Sequence, residues 1–576
     1  MVQTTTRICV ARIVIWLSEP DDHSFTTFFF LFLIMLPRVQ TILFLFCCSC
    51  LGTSAQAQFE ILDVNNIGFG VGYGGTLCNH DDVYYSLAPI EGTNHIIWGI
   101  APLWSAYDDS GQVYGDILYI NNAEDHAGPH ADTALNLAQE LALQRYKMVR
   151  KIERSEIEAF TSHFGEPGYT IPQIIRDWPG NGDTTLGTTF QLAPYVDHNA
   201  NGIYEPDSGD YPLIKGDQAI FQLLHDRPTG SQATGGDPNF SMLEYRQMVY
   251  GYEALPGSLL DNAVFIDMQI INRSDRTYHD FVFGYLTFFE LGFFGNNYMG
   301  SDSSVNLQYC YKGDTTDTGY GDWIYYGDLL PATGLQFVNV PMDVSMNPMS
   351  ELSESSLQRF QFYQRAYWPF DTTHMTDGGS GYGTGSLTNY SYHDHPDDTD
   401  GWNEFTESNP PGQRRAYSST FFGDLHPGDT VCHTAAVLFA PGTLPNNRTA
   451  AVTDLINMAS ALQAQYPYLP DAGNCMQTRQ EAPYWQTEVN PADGITFLPY
   501  PNPASDVVYL HTGPFKQSDV SLNLSDMNGK LIETWFLADL NSEQIISIRL
   551  PALTAGIYVL SGQANGFTFV KKIVIK

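Results

Sequence analysis

Positive charge is what this sequence has least of: 27 Lys and Arg stand against 64 Asp and Glu, a net charge of −37 over 576 residues. Such a surface repels phosphate backbones and anionic headgroups, which argues against nucleic acid or an anionic membrane surface as a partner. Cysteine is also scarce. Four of the eight (Cys9, Cys47, Cys48, Cys50) fall within the first 50 residues, leaving Cys78, Cys310, Cys432 and Cys475 widely spaced and without a CxxC pair. This spacing does not suggest zinc. The even count permits two disulfides in an oxidising compartment, with three possible pairings, or else buried free thiols. HExxH, GxSxG and cysteine–histidine catalytic signatures are absent, which removes the common zinc-protease and nucleophile-elbow readings. The glycine series at 68–75 is not followed by GK[ST] or a helical run, so it reads as turn-rich β structure rather than a phosphate loop.

What is present is aromatic and turn-forming. The chain has 34 Tyr and 34 Phe, 43% hydrophobic residues, 50 Gly and 33 Pro. Aromatic and β-branched runs broken by turn residues predict a mostly β fold, sandwich-like in the large central region, with a few helices. The length predicts two to four domains. Helical patterns occupy 132–147 and 451–466. A capping box at Ser155-Glu156-Ile157-Glu158 opens a further short helix that ends near Phe164 and Gly165. Lys147, Arg150, Lys151 and Arg154 form one basic cluster, read as a solvated helix face or, alternatively, a docking site for an acidic loop. The glycine tract 378–386 predicts a flexible loop.

The segment from Met35 has a basic residue, Arg38, then an apolar stretch at 41–51, then Ala55-Gln56-Ala57. This is the layout of a secretory signal peptide cleaved before Gln58. Its apolar run is too short to span a bilayer comfortably, so no stable transmembrane span is expected. A second apolar patch at 28–36 precedes it, which makes Met35 the expected true start. The expected organisation is a leader over 1–57, a β-rich cargo region over 58–490 of one or two subdomains, and a C-terminal domain over 495–576.

That last stretch opens with PNPASD and continues with strands near 507–510 and 520–524. The turn Asp526-Met527-Asn528-Gly529-Lys530 follows, whose Asn-Gly pair suits a tight hairpin. Further strands are expected at 545–550, 553–560 and 567–576, so roughly seven strands predict an Ig-like sandwich. The PNPASD opening, the D-x-NGK turn, the L-x-x-GIYVL strand and the terminal VKKIVIK together resemble the type IX secretion C-terminal sorting domain of Bacteroidota. Pro501, Asn502, Pro503, Gly529, Gly556, Tyr558, Lys571 and Lys572 fall on that family's pattern. The resemblance implies export across the outer membrane by the type IX machinery, then removal of the domain as the protein is fixed to surface lipopolysaccharide or released. Most of these residues are expected to shape turns and core. The terminal strand is the expected contact with the machinery, by strand pairing.

In the central region, residues 197–212 place oxygen-bearing side chains at loop positions 1, 3 and 5, followed by glycine. This matches the start of an EF-hand-type calcium loop. Asp197, Asn199 and Asn201 would ligate by side chain and Ile203 through its carbonyl. Ser208 stands where a bidentate Glu is expected, so Glu205, Asp207 or Asp210 would complete the shell; the alternative is a turn without metal. The stretches 193–212 and 216–219 resemble segments of large secreted Bacteroidota proteins that carry no assigned activity. Two histidine groups, His393 to Asp398 and Asp125, His126 and His130, are read as solvated loop residues rather than metal ligands. The functional expectation is a secreted or cell-surface, non-enzymatic structural or adhesive protein with a calcium-stabilised loop. The alternatives are an extracellular hydrolase built on loop carboxylates and a carbohydrate-binding protein using the 9 Trp and 34 Tyr.

Overall fold

The computed structural model describes residues 59–575, apart from 81–82, 90–93, 119–125, 131–136, 227–240, 320–323, 349–356, 470–471, 481–496, 501–506, 513–517, 527–529, 541–544, 565–566 and the single positions 76, 85, 474 and 555. The predicted leader and the linker near 483–491 lie outside these residues. The fold is mostly β, with 41% strand and 17% helix, as the aromatic and turn-rich composition implies.

In chain order the main strands of the cargo region are β1 (Ile97–Tyr107), β2 (Val113–Ile117), β3 (Arg150–Glu153), β4 (Gln218–His225), β5 (Leu243–Gly251), β6 (Ala263–Asn272) and β7 (Tyr278–Phe289), then β8 (Asn297–Asp302), β9 (Leu307–Lys312), β10 (Ala332–Phe337), β11 (Val344–Met346), β12 (Arg414–Leu425) and β13 (Thr430–Ala440). They form an eight-stranded sheet, β8-β9-β10-β13-β6-β5-β4-β3, and a five-stranded sheet, β11-β12-β7-β1-β2. The pairings within both are antiparallel.

The two faces of the eight-stranded sheet feed two different cores. On β6, Val264, Ile266, Met268 and Ile270 join Trp104, Phe283 and Tyr285 of the five-stranded sheet. The intervening Ala263 and Phe265 face the other way, toward helical residues. Helix α1 (Leu137–Leu143), α2 (Arg154–His163) and α4 (Ala450–Gln465) belong to that second layer, while α3 (Leu357–Tyr363) packs at the first. Ala451, Val452, Leu455, Ala459 and Leu462 are the buried face of α4, spaced at three and four residues so that they share one stripe.

Three sequence expectations are corrected here. The basic cluster is not a helix face. Arg150 and Lys151 lie on β3 and point to opposite sides of it, as strand geometry requires. Arg150 is buried and donates to the Asp177 carbonyl at 3.2 Å, and burial lowers its guanidinium to about 10. The helix start is shifted by two residues. Glu153 is the N-cap of α2, and its N–H donates to the Glu156 carboxylate at 3.0 Å. The glycine tract is tied down: the Trp368 indole donates to the Gly381 carbonyl at 3.1 Å and the Trp402 indole to the Gly379 carbonyl at 3.0 Å.

A buried ion pair fixes one end of the central sheet. Lys312 Nζ lies 2.7 Å from Asp317 Oδ1, with both side chains wholly buried, and donates to the Leu291 and Phe293 carbonyls at 2.6 and 3.0 Å. Asp317 accepts the N–H groups of Phe293 and Tyr326 at 3.2 and 3.1 Å. Gly292, at φ +53°, passes so close that a Cβ there would meet Asp317 Oδ2 at 2.0 Å. Only glycine satisfies both the backbone angle and the contact. Cys432 and Cys475 form a disulfide with Cα atoms 5.7 Å apart, Cys310 is a buried free thiol, and Cys78 is buried.

The C-terminal region is a sandwich of seven strands: β14 (Phe497–Tyr500), β15 (Val507–Thr512), β16 (Ser518–Asp526), β17 (Leu531–Leu540), β18 (Ile545–Arg549), β19 (Gly556–Ala564) and β20 (Phe567–Ile575). They form a three-stranded sheet β14-β15-β18 and a four-stranded sheet β17-β16-β19-β20. Val508 and Ile548 from the first sheet and Leu522, Leu524, Leu560 and Ile573 from the second share one core.

Candidate functional site

The loop that follows the short strand Tyr195–Asp197 brings together most of the residues expected to bind calcium. Asp197 is wholly buried at the strand end. Its Oδ1 accepts the Asn201 N–H at 3.2 Å and its Oδ2 the Gly202 N–H at 2.7 Å. The first carboxylate therefore organises the backbone of positions 5 and 6. Gly202 turns the chain at φ +79°, where glycine carries no Cβ penalty. Asn199 and Asn201 each accept an N–H two residues on, from Asn201 at 3.1 Å and from Ile203 at 2.7 Å. Asn201 Nδ2 donates to Glu205 Oε2 at 2.7 Å.

Asp210 closes the loop from below. Also wholly buried, it accepts the His198 and Glu205 N–H groups at 2.8 Å each. Burial raises its carboxyl above the usual range, and the neighbouring charges of Asp197 and Glu205 push it the same way against those two hydrogen bonds. Asp207 is directed elsewhere, in a bidentate pair with Arg176 at 2.9 and 3.1 Å. Ser208 is exposed in the turn Pro206–Ser208. The loop thus carries oxygen side chains at positions 1, 3 and 5 and glycine at position 6, and has exposed Ser208 at position 12. Among the described residues, no three His, Cys, Asp or Glu side chains stand close enough to hold a metal by themselves. Asparagine and backbone oxygens would have to contribute.

The histidine groups divide. His393 sits between Asp377 and Asp394, at 3.1 and 3.4 Å, about one-third exposed, and its ring contacts Trp402. His126 and His130 are buried, which corrects their reading as solvated loop residues. His126 Nδ1 lies 3.0 Å from the His225 carbonyl and 3.6 Å from Asp116. Nearby Asp226 was not singled out in the sequence. Burial, with the like charge of Asp116, raises its carboxyl to about 8. No local pattern around Asp226 announces this, because its surroundings come from other strands.

In the C-terminal sandwich, Gly556 opens β19 opposite Ile575, and Tyr558 pairs with Ile573. Tyr558 is buried, and its hydroxyl donates to the Thr554 carbonyl at 2.9 Å. Lys571 and Lys572 lie on β20 opposite Leu560 and Val559. β20 is the outer strand of its sheet, which leaves a backbone edge of the kind that recruits another strand. Pro501, Asn502, Pro503 and Gly529 lie outside the described residues; the strands flanking Gly529, β16 and β17, pair antiparallel.

Residues 499–576 match the family described as the secretion system C-terminal sorting domain. The chain carries a type IX secretion sorting domain. It is accordingly a secreted or cell-surface protein exported by that system, and the sorting domain is its point of interaction with the type IX machinery. No helix among the described residues is long and apolar enough to cross a membrane. No curated protein matches the chain significantly. Among solved structures, a polysaccharide lyase matches at 7% identity and a TM-score of 0.17, over 67% of this chain and 37% of its own. Dimeric latent PorU from Porphyromonas gingivalis matches at 8% identity and a TM-score of 0.13, over 85% and 42%. The chain therefore spans less than half the length of either.

Proposed function

We propose that the exported cargo is a non-catalytic structural or adhesive protein of the cell surface, stabilised by calcium bound in the 197–210 loop. The observation that carries the calcium reading is the pair of wholly buried carboxylates, Asp197 and Asp210, with Glu205 beside them. The charges of Asp197 and Glu205 both act on Asp210, and a hard divalent cation would relieve that repulsion, with asparagine and backbone oxygens completing its shell. Asp197, Asn199, Asn201, the Ile203 carbonyl, Glu205 and Asp210 would hold it. Supporting the non-catalytic reading, Asp226, His433 and Lys312 are displaced by burial within the sheets. The leader would be removed before Gln58, and surface lipopolysaccharide is the attachment point expected if the protein is retained.

The test is thermal melting of the full exported chain with calcium and with chelator. Calcium should raise the melting temperature by several degrees, as saturating ligand does for a native-state site. Asp197→Ala should abolish that difference. A melting curve indifferent to chelator overturns the calcium reading.

A further inference from the structure

We infer that the segment around Tyr382 is a saccharide-binding platform that stacks against the apolar face of a neutral pyranose. The Tyr382 ring lies over the Trp368 ring, centroids 4.5 Å apart and planes within 18°. Trp368 is buried, whereas 52% of Tyr382 remains exposed. One face of the tyrosine is thus backed by a fixed indole while the side chain stays open to solvent. Thr376 is bridged to Tyr382 on one side and to Leu387 on the other, and Leu387 is 72% exposed. Tyr382 and Leu387 thus flank Thr376, and both are exposed.

The support beneath is rigid. Two indole N–H groups hold the loop carbonyls of Gly379 and Gly381, and a Cβ at Gly381 would come within 2.8 Å of the Trp368 ring. A platform held in this way loses little conformational freedom when a ligand docks. Flat, half-exposed aromatic surface suits the C–H face of a sugar ring, whose hydroxyls at the edge need polar partners. Partly exposed polar groups are present in Asp377, which precedes the glycine tract, and in His393, 3.1 Å from Asp377. Asp377, Asp394 and the net charge of −37 disfavour polyanionic glycans such as uronates. A neutral glycan is therefore the class that fits.

This inference goes beyond the calcium reading and does not depend on the loop at 197–210. The experiment is affinity gel electrophoresis and calorimetry of the full exported chain against laminarin, mannan and xyloglucan, with alginate as the polyanion. At least one neutral glycan should bind. Tyr382→Ala should weaken it by about tenfold or more, and Tyr382→Phe should stay within about threefold, since the ring rather than the hydroxyl does the stacking. An unchanged melting temperature in Tyr382→Ala separates lost binding from lost folding. Asp197→Ala should bind glycan normally. Failure of all three neutral glycans, preference for alginate, or full binding by Tyr382→Ala overturns the proposal; loss of binding in Asp197→Ala with full binding by Tyr382→Ala also overturns it.

Discussion

Lys312→Met removes an ammonium and leaves its surroundings intact, which makes it a sharp test of how the central sheet is held. In the native chain the Lys312 ammonium meets Asp317 and two carbonyls, all shielded from water. Burial alone pulls Lys312 below the usual lysine range, and the Asp317 charge opposes that shift. Methionine fills most of the volume but leaves the Asp317 carboxylate buried without its cation, while the Leu291 and Phe293 carbonyls lose one donor and keep the Asn297 amide at 2.9 and 3.4 Å. Breaking a buried pair from one side costs about 3–5 kcal/mol, far above the ~1 kcal/mol of an exposed pair. The assay is urea unfolding of the full chain followed by tryptophan fluorescence, with Asp317→Leu and the double variant completing the cycle. The double variant should be less destabilised than the sum of the singles by at least about 1 kcal/mol, because the stranded charge is gone. It should not return to the native value, since the Phe293 and Tyr326 N–H groups lose their acceptor. A loss below about 1 kcal/mol for Lys312→Met, or strict additivity, would refute the reasoning.

Two other buried groups should give opposite pH dependences. His433 lies between the sheets against Phe283, Tyr285 and Phe337, and burial lowers its imidazole to about 3. Its contribution is present above pH 6.5 and lost as pH falls from there toward 3, on the order of 5 kcal/mol in all. His433→Leu should flatten that acid limb in denaturation measured at stepped pH. Asp226, raised to about 8, is protonated in the fold. Its contribution is present below pH 4 and lost as pH rises toward 8, on the order of 6 kcal/mol, and Asp226→Asn should remove that slope. Cys432→Ser with Cys475→Ser opens a loop of 43 residues and should cost about 4 kcal/mol, read as a lower urea midpoint that reductant no longer affects.

How much of this was legible in the sequence depended on exposure. In the C-terminal sandwich, polar and apolar residues alternate as in Val520-Ser521-Leu522-Asn523-Leu524, and the expected count of roughly seven strands holds, with five of them placed and Phe497–Tyr500 and Leu531–Leu540 left unlocated. Strands β6 and β13 show no such alternation, because both of their faces are buried. Their partners are also remote in sequence: β10 pairs with β13, and β3 with β4. The turn at 197–210 was legible because its Asp, Asn and Gly residues are close in sequence, but the pairing of Asp207 with Arg176 was not, since Arg176 lies on a separate helical turn. Cysteine spacing left three pairings open; what selects Cys432 with Cys475 is the placement of Cys475 beside β13 and Gln269, whose amide donates to the Cys475 carbonyl at 2.8 Å.

The eight-stranded sheet has a consequence for how this sequence can drift. It is a party wall, and successive residues of β6 answer to tenants on opposite sides: Ile266 to the neighbouring sheet, Phe265 and Asp267 to the helical layer. An enlargement at one position pushes the backbone toward the other compartment, because close-packed interiors pass strain on rather than absorb it. Adjacent codons on these strands are therefore bound by unrelated demands, and neither compartment is free to be rebuilt without the consent of the other.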